Sequence, residues 1–558
     1  MLRFLASLMR RPAASASAPT PAPPPRDDAN ALLAKAIEML QAGRRAEAIT
    51  ALKALVESHS DLAAAQLMLG GLLHEDEDFE EARDCYLLAS AHRADWWAPR
   101  FQLGRLAFER GHMADAVDAL TKAIALGAPG AEVQNILGAA HQRAGDSKAA
   151  AACFRAALAL DPKLVPAHSN LGYALFKELE EYDEGERHIK RAIELAPDDP
   201  AALCNLVMVL QQRGRYDEAL ALTKRLLAED PSRAEVRLNR ALMLLSRRDF
   251  TAWPDYEARR QMPESRKSGD LPWPDWDGSS LAGKTIYVYR EQGIGDEIMF
   301  SSCLPEVIAQ AQSCIVECSP KLEAIFRRSF PTVTVLLRDE WRKSAELSLH
   351  APDFKVAIGS LPLFLRKSAA DFPDHAGYLN ADATRVGEWK AKLGRLPGRR
   401  KVGISWRGGI ATTQRSLRSV PLEAWRPVLS IPDVDFVSLQ YGVVEPELEA
   451  FRKAHGIRIT HWPEAIDDYD ETAALVCALD FVVSVQTAVV HLAGALGKSA
   501  LALIPAIPEW RYGVKGDSMI WYPSVRLLRQ SHPGLWAPVM EAARTQADAR
   551  MARVSHMT

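Results

Sequence analysis

A phrase of small residues recurs through the first half of the chain at a nearly fixed interval, and that interval limits the fold more than any composition does. Leu69-Gly70, Leu103-Gly104, Leu137-Gly138 and Leu171-Gly172 stand 34 residues apart. The clearest copy reads Leu137-Gly138, Gly145, Ala150, Phe154, Ala157 and Pro162. Its neighbours repeat the phrase through Gly111, Ala116 and Ala123, and through Ala82, Tyr86 and Ala89. The copy at Leu171 carries one extra residue in a turn over 177–182 and has Gly185 where Ala is expected, so Leu206, Gly214, Tyr216, Ala219 and Pro231 follow 35 residues on. Weaker copies start near Asn30 and Ala234. Antiparallel helices pack closely where small residues face each other, and a proline just past the second helix stops it. One pair cannot bury its apolar faces alone, so stacked pairs share a core and coil into a superhelix with a concave groove.

These residues resemble tetratricopeptide repeats, about seven in-phase copies over residues 29–264. The resemblance implies an α-solenoid whose groove binds a protein or peptide. Ahead of it, residues 1–28 form an Ala/Pro-rich tail expected to be disordered. Residues 1–11 are apolar and basic but too short and interrupted for a signal peptide, which leaves a weak amphipathic membrane contact as one reading. No run approaches the roughly 18 apolar residues of a transmembrane segment. A cytoplasmic location is expected.

Lys and Arg number 68 against 71 Asp and Glu, which disfavours nucleic acid as the main partner. The seven cysteines are dispersed and read as small core residues of a reducing compartment. Cys314 and Cys318 are the one close pair and lack a second pair at metal spacing, so no zinc site is expected.

After Pro263 the period ends, and Pro272-Trp273-Pro274-Asp275-Trp276-Asp277-Gly278 reads as a linker. Short β-rich runs at 285–289, 315–318, 332–336, 402–406, 436–440, 481–485 and 500–504 then alternate with helical patterns. That alternation predicts parallel sheets covered by helices. A Pro/Gly/basic break at 396–400 divides the region into domains 265–395 and 396–558. Two doubly wound Rossmann-like α/β domains facing one cleft are expected, with ligand beyond the carboxyl ends of the strands.

Three loops carry the chemistry. After the run at 285–289 come Gln292, Gly293, Gly295 and Asp296, where glycines let the backbone approach a ligand. Asp296 reads either as a helix N-cap or as a general base. After 481–485, Gln486, Thr487 and Ala488 lead into a helix whose N–H groups can hold phosphate, with His491 one turn on, either a packed core residue or a site residue. Between them, Ser405, Trp406, Arg407 and two glycines precede Thr412, Thr413, Gln414, Arg415 and Arg418. Arg407 and Arg418 suit a diphosphate because the guanidinium presents a fork of donors, while Arg415 reads equally as solvated surface. Gln440 closes the run at 436–440 and joins this set. Asp468-Tyr469-Asp470 imitates a manganese motif but reads as a helix start, so no metal is expected.

The 293–296 loop, Arg418-Ser419-Val420-Pro421 with Trp425, and 484–487 with His491-Leu492-Ala493 resemble metal-independent GT-B glycosyltransferases, specifically the lipopolysaccharide heptosyltransferases. Repeats followed by GT-B also resemble O-linked N-acetylglucosamine protein transferases and bacterial repeat proteins of the flagellin-modification type. The resemblance covers nearly the whole chain from residue 29. It implies a nucleotide-sugar donor, no metal or other cofactor, Asp296 as general base, and Arg418 where the family has a Lys on the donor phosphates. Thr487 and His491 fall in the donor-binding loop. Gln486 replaces the family's Asp and Ala488 its Gly, which puts an ADP-heptose donor in doubt. The expected activity is sugar transfer to a hydroxyl, on a protein held by the repeats. A non-catalytic scaffold with a degenerate sensing module, and transfer to lipid or polysaccharide, are the competing readings.

Overall fold

Each small-residue phrase becomes one helix pair. In the computed structural model, which describes residues 26–262, 271–338, 340, 351–409 and 415–554, the helices Ala63–Glu75 and Phe79–His92 form one pair. Trp97–Glu109 with Met113–Ala125, and Ala131–Arg143 with Ser147–Leu160, form the next two. Glycine in the first helix lets each pair close. A Cβ on Gly70 would lie 2.8 Å from Tyr86, one on Gly104 2.6 Å from Leu120, and one on Gly138 2.6 Å from Phe154. All three partners are fully buried, as are Ala82, Ala116 and Ala150. The first helix starts at Arg26, so residues 26–28, assigned above to the tail, are helical. The rest of the tail, the boundary at 264, and Thr412, Thr413 and Gln414 lie outside the described residues.

The extra residue expected in a turn over 177–182 is instead taken up inside a helix. Val165–Tyr173 continues into a single π turn, Ala174–Glu178, whose wider bonding accommodates one more residue. Gly185 is part of the same event. A Cβ there would sit 2.7 Å from both the backbone nitrogen and the Cβ of Phe176, so the widened turn occupies the space that a methyl fills in the other pairs. Gly185→Ala is therefore expected to cost about 1–3 kcal/mol by overpacking. Ala116→Gly at the corresponding place is expected to cost about 2 kcal/mol, through backbone entropy and the loss of a fully buried methyl. Urea unfolding of the two variants checks that both substitutions destabilise, although one adds a methyl and the other removes one.

The chain divides into two compact units, Met1–Asn205 and Leu206–Thr558. The second opens with the helices Tyr216–Glu229 and Ala234–Ser246 and the short helical turns Phe250–Ala252, Trp253–Tyr256 and Glu257–Gln261. The last repeat-like helices thus share a unit with the sheets.

The first sheet holds β1 (Thr285–Tyr289), β2 (Ser313–Cys318), β3 (Thr334–Leu337) and β4 (Phe354–Ala357), in the order β3-β2-β1-β4. All its pairings are parallel. The second holds β5 (Arg400–Ser405), β6 (Val434–Ser438), β7 (Ile459–Thr460), β8 (Phe481–Val485), β9 (Ala500–Ile504), β10 (Ser518–Met519) and β11 (Tyr522–Arg529). Its order is β10-β11-β9-β8-β5-β6-β7, with β10 alone antiparallel to its neighbour. The parallel part follows the doubly wound order in which a crevice opens between the first and fourth strands, here β5 and β8. Residues along β8 alternate between two cores. Val482 packs with the helix Ala488–Ala495 and with the first sheet's core, and Val483 and Val485 pack on the opposite face with Trp425 and Met540.

This α/β architecture contains strands beyond the seven expected runs: β4, β7, β10 and β11. Pro523 hides β11, since proline argues against a strand. It stands ahead of Val525, where pairing with β9 begins, and removes no ladder bond there. Among the described residues no helix is long and apolar enough to cross a membrane.

Candidate functional site

Carboxyl ends of strands from both sheets meet at one place. After β1 the chain turns through Gln292, a non-glycine residue at φ 58°, and Gly293 caps the helix Ile294–Phe300. After β8, Thr487 caps the helix Ala488–Ala495, its hydroxyl accepting from the Val489 N–H at 3.2 Å. The two helix starts touch. A Cβ on Gly295 would lie 3.6 Å from the Ala488 Cα and 3.3 Å from the His491 ring, so glycine permits this approach. On the far side of Thr487, a Cβ on Gly408 would fall 2.6 Å from the Gln486 carbonyl oxygen, which packs the loop after β5 against the loop after β8.

Asp296 does not cap its helix. Gly293 holds that position, and the Asp296 carboxylate instead accepts from the Arg511 Nε at 2.7 Å. Arg511 comes from the loop after β9 and also pairs with Glu509 at 3.0 Å, and Glu509 in turn pairs with Arg418. Four alternating charges, Asp296, Arg511, Glu509 and Arg418, thus run across the convergence of the loops. Burial pulls the Arg511 guanidinium down, but Asp296 and then Glu509 outweigh it and hold the group above its ordinary value. Arg511 and Glu509 are absent from the sequence-derived set. The signal available was Glu509-Trp510-Arg511-Tyr512 closing a proline-bounded loop at a strand end.

His491 is enclosed. Its Nδ1 lies 3.2 Å from the Tyr522 hydroxyl and its Nε2 3.4 Å from that of Tyr512. Burial, and then the Arg511 charge, push the imidazole down to about 3 from 6.5. Its folded-state value lies below its unfolded one, so the unfolded chain binds the extra proton at acid pH. The contribution is complete above 6.5 and is lost as pH falls toward 3. Wild type should therefore lose about 1.4 kcal/mol more per pH unit in that window than His491→Gln, read from urea midpoints at several pH values.

Gln486 is buried, accepts from the Glu509 N–H at 3.5 Å, and leaves its Nε2 without a hydrogen-bond partner. Ser405 and Gln440 brace two strand ends. The Gln440 Oε1 accepts from the Arg407 N–H at 2.8 Å, the Trp406 N–H at 3.0 Å and the Ser405 hydroxyl at 3.2 Å. Arg407 leans on Glu447 at 3.1 Å and donates to the Val443 carbonyl. Its guanidinium is thus drawn to the helix Glu445–His455, away from the partners of Arg418. Asp468 caps the helix Tyr469–Ala478, and Asp470 pairs with Arg328 at 2.7 Å. Among the described residues no three His, Cys, Asp or Glu side chains are grouped to hold a metal ion.

The helix pairs and the two sheets, one parallel and one parallel but for β10, define a tetratricopeptide-repeat protein with a C-terminal α/β part. Tetratricopeptide-repeat family models match residues 33–96, 101–165, 137–200 and 177–243. Protein FlbA of Caulobacter vibrioides is 31% identical over 536 residues, spanning 91% of this chain and 88% of that protein, and the chain belongs to the FlbA family. Among solved structures, a tetratricopeptide repeat protein of Parabacteroides merdae is similar at 18% identity and TM-score 0.37, over 43% of this chain and 94% of that one. PilF of Pseudomonas aeruginosa is similar at 19% identity and TM-score 0.35, over 39% of this chain and 98% of that one.

Proposed function

We propose that the α/β part is a GT-B glycosyltransferase that moves a sugar from a nucleotide diphosphate to a hydroxyl of a protein held by the repeats. The observation that carries the reading is the meeting of the Gly293, Gly295 and Asp296 loop with the Thr487 helix start, at the ends of parallel strands of two sheets. In this reading Asp296 accepts the acceptor's hydroxyl proton while the acceptor oxygen bonds to the anomeric carbon. The bond from that carbon to the diphosphate breaks, and the leaving oxygen keeps the electron pair. Arg418 and Arg511 stabilise its charge in the role a metal plays elsewhere. The buried Nε2 of Gln486 is a donor suited to a sugar or phosphate oxygen in the same crevice.

A second reading draws on one observation: Arg418, Arg511 and Arg407 each already face a carboxylate. A non-catalytic sensing module is compatible with that pairing. Calorimetry of the full chain with UDP- and ADP-sugars separates the two. Heat that saturates is expected for the transferase, and no heat with any donor would remove it.

A further inference from the structure

The short turns that follow the last repeat-like helix reach both loops that build the Asp296–Arg511 pair. Tyr256, buried among Trp253, Phe300 and Trp510, shares two hydrogen bonds with the Gln292 amide, at 2.9 and 3.2 Å. Gln292 is the residue at positive φ that starts the turn toward Asp296. Arg259, 5% exposed, spends all five guanidinium donors nearby. Its Nη2 gives 2.6 Å to Glu291 and 2.7 Å to the Ser360 hydroxyl, its Nε gives 3.0 Å to Glu291, and its Nη1 serves Glu257 and the Tyr256 carbonyl. Glu291 also accepts the Gly359 N–H at 3.1 Å, and a Cβ on Gly359 would fall 2.3 Å from that carboxylate, so the loop after β4 leaves room for the clamp. On the other side, Trp253 and Tyr256 pack on Trp510, whose ring lies under the Arg511 guanidinium at 5.1 Å.

We infer that Tyr256 and Arg259 are positioning residues: the segment closing the repeat array sets the turn at 291–296 and steadies the Trp510-Arg511 loop, so that Asp296 and Arg511 face each other. A positively twisted non-glycine turn is held where neighbours over-determine it. Here the neighbours come from helical turns more than 30 residues upstream, through contacts at sequence separations of 36 and 32. The catalytic meaning of this rests on the transferase reading, whereas the positioning itself does not.

The test is hydrogen exchange on the full chain, comparing wild type with Tyr256→Phe, which keeps the ring and removes only the hydroxyl. The Asp296 and Glu297 amides, which both donate to the Gly293 carbonyl, are expected to exchange about tenfold faster in the variant while those of β8 stay unchanged. Arg259→Gln should extend the effect to Gly359. Equal exchange at Asp296 and Glu297 in wild type and Tyr256→Phe overturns the inference, whether or not the protein transfers sugar. Where transfer is measurable, Tyr256→Phe should lower kcat about tenfold or more with the donor KM held within twofold. A raised donor KM at constant kcat also overturns it, since Tyr256 would then act in binding. Faster exchange in a chain that binds no donor sustains the positioning and removes only the transferase reading.

Discussion

Asp296→Asn is expected to abolish sugar transfer in a chain that still folds and still binds donor. On the proposed reading the carboxylate is the group that receives the acceptor proton, and general-base catalysis contributes about 10²–10⁴ in rate. Asparagine has nearly the same shape, and its amide oxygen can still accept from the Arg511 Nε, so the loops after β1 and β9 stay joined. Arg511 also keeps Glu509. The loss should therefore fall on kcat, with donor affinity by calorimetry within a few-fold of wild type. Single-turnover transfer with a radioactive donor measures it. Unchanged turnover in this variant takes Asp296 out of the mechanism.

The largest effect on stability is expected at Gly497. The helix Ala488–Ala495 ends in a Schellman turn, with the Lys498 N–H on the Ala493 carbonyl and the Gly497 N–H on that of Gly494. Gly497 sits at φ 69°, where a side chain costs about 1–2 kcal/mol. Space is the second obstacle: a Cβ would fall 1.7 Å from the Ala376 carbonyl oxygen, an overlap that backbone must move to relieve. The loop it would displace is tied to the helix end by Tyr378 and Leu379 N–H groups on the Ala495 carbonyl. Strain and overpacking together put Gly497→Ala at about 3 kcal/mol or more. A fall in the urea midpoint of the α/β part checks it, and an unchanged midpoint would show that the 376–379 loop yields freely.

The helix pairs were legible because each decisive contact joins two residues of one repeat. The Gly138 approach to Phe154 recurs with the period and so prints itself several times. The parallel strands showed through their apolar runs, and the Gly293 and Thr487 turns through their place at strand ends. What the sequence did not reveal lies in long-range pairs that occur once. Asp296 and Arg511 are 215 positions apart, and no local pattern joins them. Asp296 looked like a cap because helices often begin at aspartate, yet the helix already starts at Ile294, and the Asp296 side chain turns to Arg511 instead. His491 was equally hard to place, since Tyr512 and Tyr522 lie in a stretch where Pro523 conceals the strand β11. Arg407 and Arg418 stand in the sequence as cations for a ligand, and their carboxylate partners Glu447 and Glu509 come from a helix and a loop that carry no motif of their own.

The π turn at Ala174–Glu178 bears on how an array of this kind can change length. An added residue in a connecting loop would alter the reach between helices, but one stored as a wider turn leaves the flanking connections intact. Room for it comes from the opposite helix, through the missing methyl of Gly185. Insertions are then tolerated not where the chain is most exposed but where a facing side chain can shrink. The repeat length behaves as a volume rule between paired helices, open to editing one residue at a time.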